Sequence, residues 1–290
     1  MIYQEPRYLP GGDRYMLVEF GNEMNLELNF MAQGLAGAIA EQRVRGVIET
    51  APCFASMLIH YEPEDISYAD LQREMIQLVA SLGPSDDIEL PSRLFYFPTA
   101  YLDPWTKAAI DDYTVKINPE KEFDPAFVAR LNGLSGPEQL VRVHSGTEYW
   151  VAALGFWPGL PFMMALDPRC VITAPKYNPP RTWTPQGTVG MGGASTAIYP
   201  VATPGGYQIF ARIPVPIWDP KRRFPIYGDS ICLFRPGDRV KFVPVSVAEF
   251  EDVERRVADG SYEYNVVGYQ KFSVAQYKSW VAGLDRGKRF

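Results

Sequence analysis

The stretch that most limits what this chain can fold into is Lys176-Tyr-Asn-Pro-Pro-Arg-Thr-Trp-Thr-Pro185, followed closely by Gly187-Thr-Val-Gly-Met-Gly-Gly193 and Pro204-Gly-Gly-Tyr207. Proline fixes φ and removes a backbone donor, and interior glycine costs conformational order, so neither a helix nor a regular strand suits this mixture. A chain that keeps such a segment, with cations and aromatics set into it, is shaping a surface. The surroundings point the same way. Beyond Gly146 the apolar segments are short and punctuated by proline and glycine: residues 149–154, 171–173, 197–199, 208–213, 230–234 and 240–245. Short strands with turn signals at this density predict a barrel or a sandwich.

The N-terminal part reads differently. Residues 15–20 form an apolar strand closed by Gly21. Residues 23–42 predict a helix, with Leu26, Phe30, Met31, Leu35, Ala38 and Ile39 on one stripe. Residues 47–50 and 56–61 read as strands broken at Pro52, and 68–82 as a second helix capped by Asp65 or Ser67, with Leu71, Met75, Leu78 and Val79 inward. The order strand, helix, strand, strand, helix, strand predicts a small split βαβ domain ending near the acidic turn 83–87. A strand at 94–97 and short helices at 104–113 and 125–132 follow, and 247–260 and 272–277 read as further helices, the last with apolar residues free to dock.

Composition narrows the function. At 47% hydrophobic and 21% charged, the 290 residues can bury a sizeable core. A net charge of −6 argues against nucleic acid and anionic membranes, which need a basic surplus. Cys53, Cys170 and Cys232 lie far apart and are expected to be buried free thiols in a reducing compartment. The N-terminus lacks the cationic and apolar regions of a signal peptide, and no apolar run approaches a membrane span, so the expected location is the cytoplasm.

No phosphate loop, nucleophile elbow, HExxH or dinucleotide fingerprint is present. With only His60 and His144, a multi-histidine metal site is not expected. His60 lies in a strand and reads as structural. His144 precedes the aromatic turn Gly155-Phe-Trp-Pro-Gly-Leu-Pro-Phe162 and is open to two readings, proton transfer or a ring bonded to a carbonyl. Lys176, Arg181 and Arg212 either recognise an anion or carbonyl, or pair with Asp167, Asp219 or Asp229. The glycines at 187, 190, 192, 193, 205 and 206 either cradle an oxyanion or form hairpins.

Taken in order, Gly-Phe-x-Pro-Gly-x-Pro (155–161), Leu-Asp-Pro-Arg (166–169), Gly-x-Val-Gly-x-Gly-Gly (187–193), Ile-Tyr-Pro (198–200) and Pro-Gly-Gly-Tyr (204–207) resemble one family. It is the allophanate hydrolase subunit 1, or KipI-like, family, also known as carboxyltransferase subdomains C and D. Gly12-Asp13-Arg14 and Glu19-Phe-Gly21 match its opening, so the resemblance runs from about residue 8 to 245. It implies an α+β protein: a ferredoxin-like α/β domain over 1–90, a cyclophilin-like β-barrel over 91–246, and a short helical C-terminal extension over 247–290.

The resemblance also implies a heteromeric complex with a KipA-like partner carrying subdomains A and B, the chain being inert alone. Three contexts are known for the family: biotin-dependent urea carboxylase, ATP-dependent 5-oxoprolinase, and inhibition of a sporulation histidine kinase. Depending on context, a biotin carboxylase and biotin carrier or a LamB-like subunit join in, so that biotin or ATP is held by a partner and no cofactor tightly by this chain. The substrate would be urea, another small amide, or a lactam. The loop at 176–185 and the tail with Phe272 and Tyr277 look like the urea carboxylase version, whereas the turn at 155–161 looks like the oxoprolinase and KipI version. Together with residue chemistry, the resemblance assigns Lys176, Arg181 and the backbone of Gly190, Gly192 and Gly193 to the anion or carbonyl side of a site. It assigns His144 to proton transfer, Trp183 and Tyr207 to the wall, and Asn178 and Arg212 to substrate binding.

Overall fold

The computed structural model describes residues 1–289, which form seven α-helices and two sheets in a mixed α+β arrangement. The chain divides into two compact units: residues 1–92 with 269–284, and 93–268 with the tail from 285 onward.

The first unit begins with β1 (Ile2–Pro10), β2 (Tyr15–Gly21), α1 (Leu26–Gln42), β3 (Val47–Cys53), β4 (Ser56–Tyr61) and α2 (Tyr68–Leu82). Its sheet has the order β1-β2-β4-β3, with every neighbouring pair antiparallel. Alternation along β2 and β4 turns Met16, Val18, Met57 and Ile59 toward Leu35, Leu71 and Met75 of the helices. Asn25 and Ser67 cap the helices by accepting from the Glu27 and Asp70 N–H groups at 2.8 and 3.1 Å.

Two features differ from the expected order. The described sheet has no strand after α2; its edge beside β2 is taken by β1, whose mixed polar and apolar residues hide the strand from a periodicity reading. Pro52 does not break β3, because β3 is an edge strand and a missing N–H can face outward there.

The second unit takes up β5 (Glu89–Tyr101) from Arg93, then α3 (Pro104–Lys116), α4 (Asp124–Leu131), α5 (Pro137–Ser145), β6 (Glu148–Leu154), β7 (Pro161–Ala165), β8 (Thr188–Gly192), β9 (Ser195–Ile198), β10 (Gln208–Arg212), β11 (Arg239–Pro244), α6 (Val247–Asp259) and the start of β12 (Val266–Ser273). The sheet order is β10-β8-β9-β7-β6-β11-β5-β12, and β10 also pairs with β5, so seven strands close into a ring. Phe95, Phe97, Val151, Met163, Phe210 and Phe242 fill its core.

Residues 171–173 and 230–234 are loops rather than the expected strands, with isolated bridges only at Ala174–Gly193 and Trp218–Cys232. At Thr173 a side chain replaces the ladder: the Asn132 amide donates to its carbonyl at 2.8 Å and accepts its N–H at 2.9 Å.

The segment from 247 onward is shared between the units: α6 and the start of β12 lie in the second, while the rest of β12 from Tyr269 and α7 (Val274–Ala282) lie in the first. Within the first unit Phe272 and Tyr277 pack on Phe30 at ring separations of 5.4 and 5.6 Å, and Lys278 donates to Glu27 and Ser85. Of the three thiols expected to be buried, only Cys170 is; Cys53 is exposed and Cys232 half-buried. Among the described residues no helix is long and apolar enough to cross a membrane.

Candidate functional site

The loops of the strand ring converge on a pocket of about 100 Å³. Phe156 and Leu160 come from the turn between β6 and β7, and Phe162 from β7 itself. Ala197 of β9 and Tyr199 just beyond it supply another wall, Gly205, Gly206 and Tyr207 a third, and Lys176 the cation. Apart from that ammonium and the backbone, the lining is apolar and aromatic.

Glycines make the pocket possible by clearance. A Cβ on Gly205 would lie 2.4 Å from the Tyr199 hydroxyl, and one on Gly192 would lie 2.5 Å from the Tyr207 ring. Gly190 admits the neighbouring β10 backbone, since its Cβ would meet the Gln208 carbonyl at 2.6 Å. Gly193 adopts φ +63°, and its N–H is taken by the Ala174 carbonyl at 2.7 Å. Gly190, Gly192 and Gly193 therefore shape the site through close packing and a turn; the Gly193 N–H is already engaged.

The cations separate sharply. Lys176 is exposed, stands 5.4 Å from the centre of the Tyr207 ring, and has no carboxylate partner among the described residues. Arg181 is 1% exposed. It donates to the Tyr207 carbonyl at 2.6 Å and to Thr184 Oγ1 at 3.2 and 3.3 Å, lies 3.9 Å from Asp124, and covers the Tyr177 ring. Its charge is spent on the protein's interior. Arg212 is similarly committed, donating to the Gln186 carbonyl at 2.7 Å, pairing with Glu254 at 3.1 Å, and covering Trp105 and Phe250. Neither arginine pairs with the aspartates considered from sequence.

Behind the pocket, Asp124 is a buried carboxylate that sequence reading passed over. It accepts from Lys121 at 2.6 Å, from the Tyr177 hydroxyl, and from the Ile209 N–H at 2.7 Å. Burial, reinforced by the Asp124 charge, pushes the Tyr177 hydroxyl up. The only advance signal was the adjacent Pro125 at a helix start. Tyr207, which lines the pocket, is pushed up to about 12 by burial and stays a neutral hydrogen-bonding phenol at ordinary pH.

His144 lies elsewhere. It sits on α5, a helix not foreseen, and is wholly buried among Tyr149, Phe210 and Phe242. Its Nδ1 shares a hydrogen bond with the Tyr101 hydroxyl at 2.8 Å, and Nε2 reaches Thr196 Oγ1 at 3.3 Å. Burial pulls its pKa down to about 3, so the ring is neutral at physiological pH. The geometry is that of a bonded core histidine outside the pocket lining.

Trp183 leans away from the pocket, its Nε1 donating to Asp112 at 3.0 Å, and Asn178 is exposed without joining the lining. Sequence reading thus placed Lys176 and Tyr207 in the lining and missed Phe156, Leu160, Phe162, Ala197 and Tyr199. All five lie in or directly beside the ordered motifs, which were the available signal. Among the described residues, no group of three or more His, Cys, Asp or Glu side chains is arranged to hold a metal ion.

The chain is thus an α+β protein in which the loops of a strand ring gather aromatics, glycines and a lysine with no carboxylate partner among the described residues around a small cleft. The family model for the carboxyltransferase domain, subdomain C and D, matches residues 6–227, and the chain belongs to that family. It is 30% identical over 279 residues to urea amidolyase of Saccharomyces cerevisiae, which covers 94% of this chain but only 15% of that protein. It is 32% identical over 251 residues to a 5-oxoprolinase subunit of Bacillus subtilis, covering 82% of this chain and 92% of that one. The crystal structure of Kluyveromyces lactis urea carboxylase matches with a TM-score of 0.84 and 27% identity, over 97% of this chain and 26% of that chain.

Proposed function

We propose that this chain is the C/D subunit of a carboxyltransferase or amidohydrolase complex, binding a small planar amide in the pocket at Lys176. The observation that carries the reading is convergence: the segments at 155–161, 198–200 and 204–207, far apart in the chain, meet with Lys176 around one cleft. Whole sites for drug-sized ligands run from roughly 300 Å³ upward, so about 100 Å³ suits a group of a few heavy atoms. A urea, a lactam ring or the ureido head of biotin meets that description, and the apolar walls with one ammonium suit a polarised carbonyl.

In this reading the ferredoxin-like and cyclophilin-like domains of the resemblance are the two units. A KipA-like partner with subdomains A and B completes the site, and the complex works in the cytoplasm. Biotin on a partner would supply the carboxyl group for transfer, and ATP held by a partner would activate a lactam. This chain's contribution is to exclude water, orient the amide against Tyr207, and place the Lys176 ammonium near developing oxyanion charge.

The urea carboxylase reading comes first because the match to urea amidolyase spans 94% of the chain, against 82% for the Bacillus subtilis 5-oxoprolinase protein. The oxoprolinase reading stands second because the turn that supplies Phe156 and Leu160 resembles that version. The test is reconstitution with the partner subunits from the same host. K176A should lower kcat/KM about tenfold or more with urea or 5-oxoproline while leaving the thermal midpoint unchanged. Unaltered turnover in K176A would sink the assignment, and a biotinylated partner would decide for the carboxylase.

A further inference from the structure

The turn at the pocket mouth contains a residue in a conformation its side chain disfavours. Phe156 has φ +65°, in the left-handed region that glycine enters freely and a residue with a Cβ does not. The Trp157 N–H donates to the Gly155 carbonyl at 2.7 Å, closing a γ-turn of the rare positive-φ kind around Phe156. A second turn follows, with Leu160 N–H donating to Trp157 at 3.0 Å and Gly155 N–H to Leu160 at 3.2 Å. Glycines flank the strained position on both sides. Gly155 allows the turn to lie against the Phe162 ring, which a Cβ would meet at 3.3 Å, and Gly159 has φ +79°.

What the strain achieves is unusual: it holds a phenylalanine 67% exposed while that residue still lines the pocket. A ring on a surface turn normally relaxes onto neighbouring apolar surface, and a glycine would hold this backbone without strain. Strained backbone held in place by surrounding bonds marks functional positions. Phe162 and Tyr207 stand 6.4 Å apart and tilted by 57° in the lining, and Phe156 adds a third, more exposed ring to it.

We propose that Phe156 is an aromatic cap that covers the exposed face of a planar amide, cyclic urea or lactam seated against Tyr207, making it a specificity-determining residue of this site. The inference rests on the reading of the pocket as a small-amide site. The cap selects flat ligands, because only a planar π-face fits between two rings.

The test separates the ring from the strain. F156G removes both, F156A removes the ring and keeps the positive φ, and F156W keeps an aromatic face. Binding is read by saturation-transfer NMR with 2-imidazolidinone and 2-pyrrolidinone as probes, and folding by thermal midpoint. The expected result is a split: F156G holds or raises the midpoint by about 2 °C, yet binds both probes at least about fivefold more weakly. F156A is equally weak in binding and F156W close to wild type. A residue that serves folding alone would lose midpoint and binding together in F156G, and that result overturns the cap. Undiminished binding in F156G, with loss only in K176A, overturns the cap and keeps the pocket. All variants are measured in complex with the partner subunits, and absence of transfer to the wild-type complex overturns the amide reading of the pocket and the cap with it.

Discussion

Lys176 and Arg181 belong to one loop and live in opposite environments. Lys176 projects from the pocket rim with the Tyr207 ring beside it, and its side chain is exposed to solvent. Arg181 is sealed behind the pocket, joined to Tyr207, Thr184, Asp124 and Tyr177. Removing an exposed cation costs folding little, whereas removing one member of a buried charged network strands its partners without solvent. The contrast divides labour along the loop. Arg181 fixes the Gly205–Tyr207 wall through the Tyr207 carbonyl and the backbone bridge to Gly205, and Lys176 meets whatever enters.

The comparison breaks most visibly at Arg181. R181A should lower unfolding free energy by about 3–5 kcal/mol, measured by denaturant titration. Asp124→Ala should cost a comparable amount, and the double variant should lose less than the sum. A loss near zero in R181A would erase the distinction between the two cations.

The next effect concerns His144, whose buried ring sits at about 3 against a usual 6.5. Above pH 6.5 the imidazole is neutral in both states and the shift contributes nothing. As pH falls below 6.5, the unfolded chain takes up a proton that the folded core refuses, so stability falls down to about pH 3. The slope from this residue reaches about 1.4 kcal/mol per pH unit. H144Q should flatten that part of the stability–pH curve; an unchanged slope would show that the ring finds a proton while folded. The smallest effect sharpens the other side: K176A should move stability by less than about 0.5 kcal/mol.

Much of the fold was legible because it follows from periodicity and caps. The helix at 68–82 begins after Ser67 as expected, and the one expected at 23–42 starts at Leu26 because Asn25 caps it. β1 was not legible: its pattern does not alternate cleanly, and it is a strand because β2 offers it an edge. Residues 171–173 have strand-like composition but are held by the Asn132 side chain, a bond made 41 positions away that no local window contains.

The site was legible as a set of segments and illegible as a set of roles. Glycines at 192 and 205 read as an oxyanion cradle or hairpins, whereas the structure shows them clearing the Tyr207 and Tyr199 rings. The chain's cations and His144 carried no mark of which would be exposed, since burial is decided by tertiary neighbours such as Asp124 and Phe242. Phe156 was overlooked for the same reason: a positive φ leaves no trace in composition.

One property of the strand ring reaches beyond its geometry. Its closure between β10 and β5 is a ladder of two residue pairs, Ala211–Tyr101 and Arg212–Ala100, whereas β11 and β5 share six. A second ladder in the ring is equally short, the two pairs Phe162–Ala197 and Met163–Thr196 between β7 and β9. Phe162 and Ala197 line the pocket and β10 begins immediately after Tyr207, so the two thinnest joins of the ring both adjoin the cleft and share its neighbourhood with whatever occupies it.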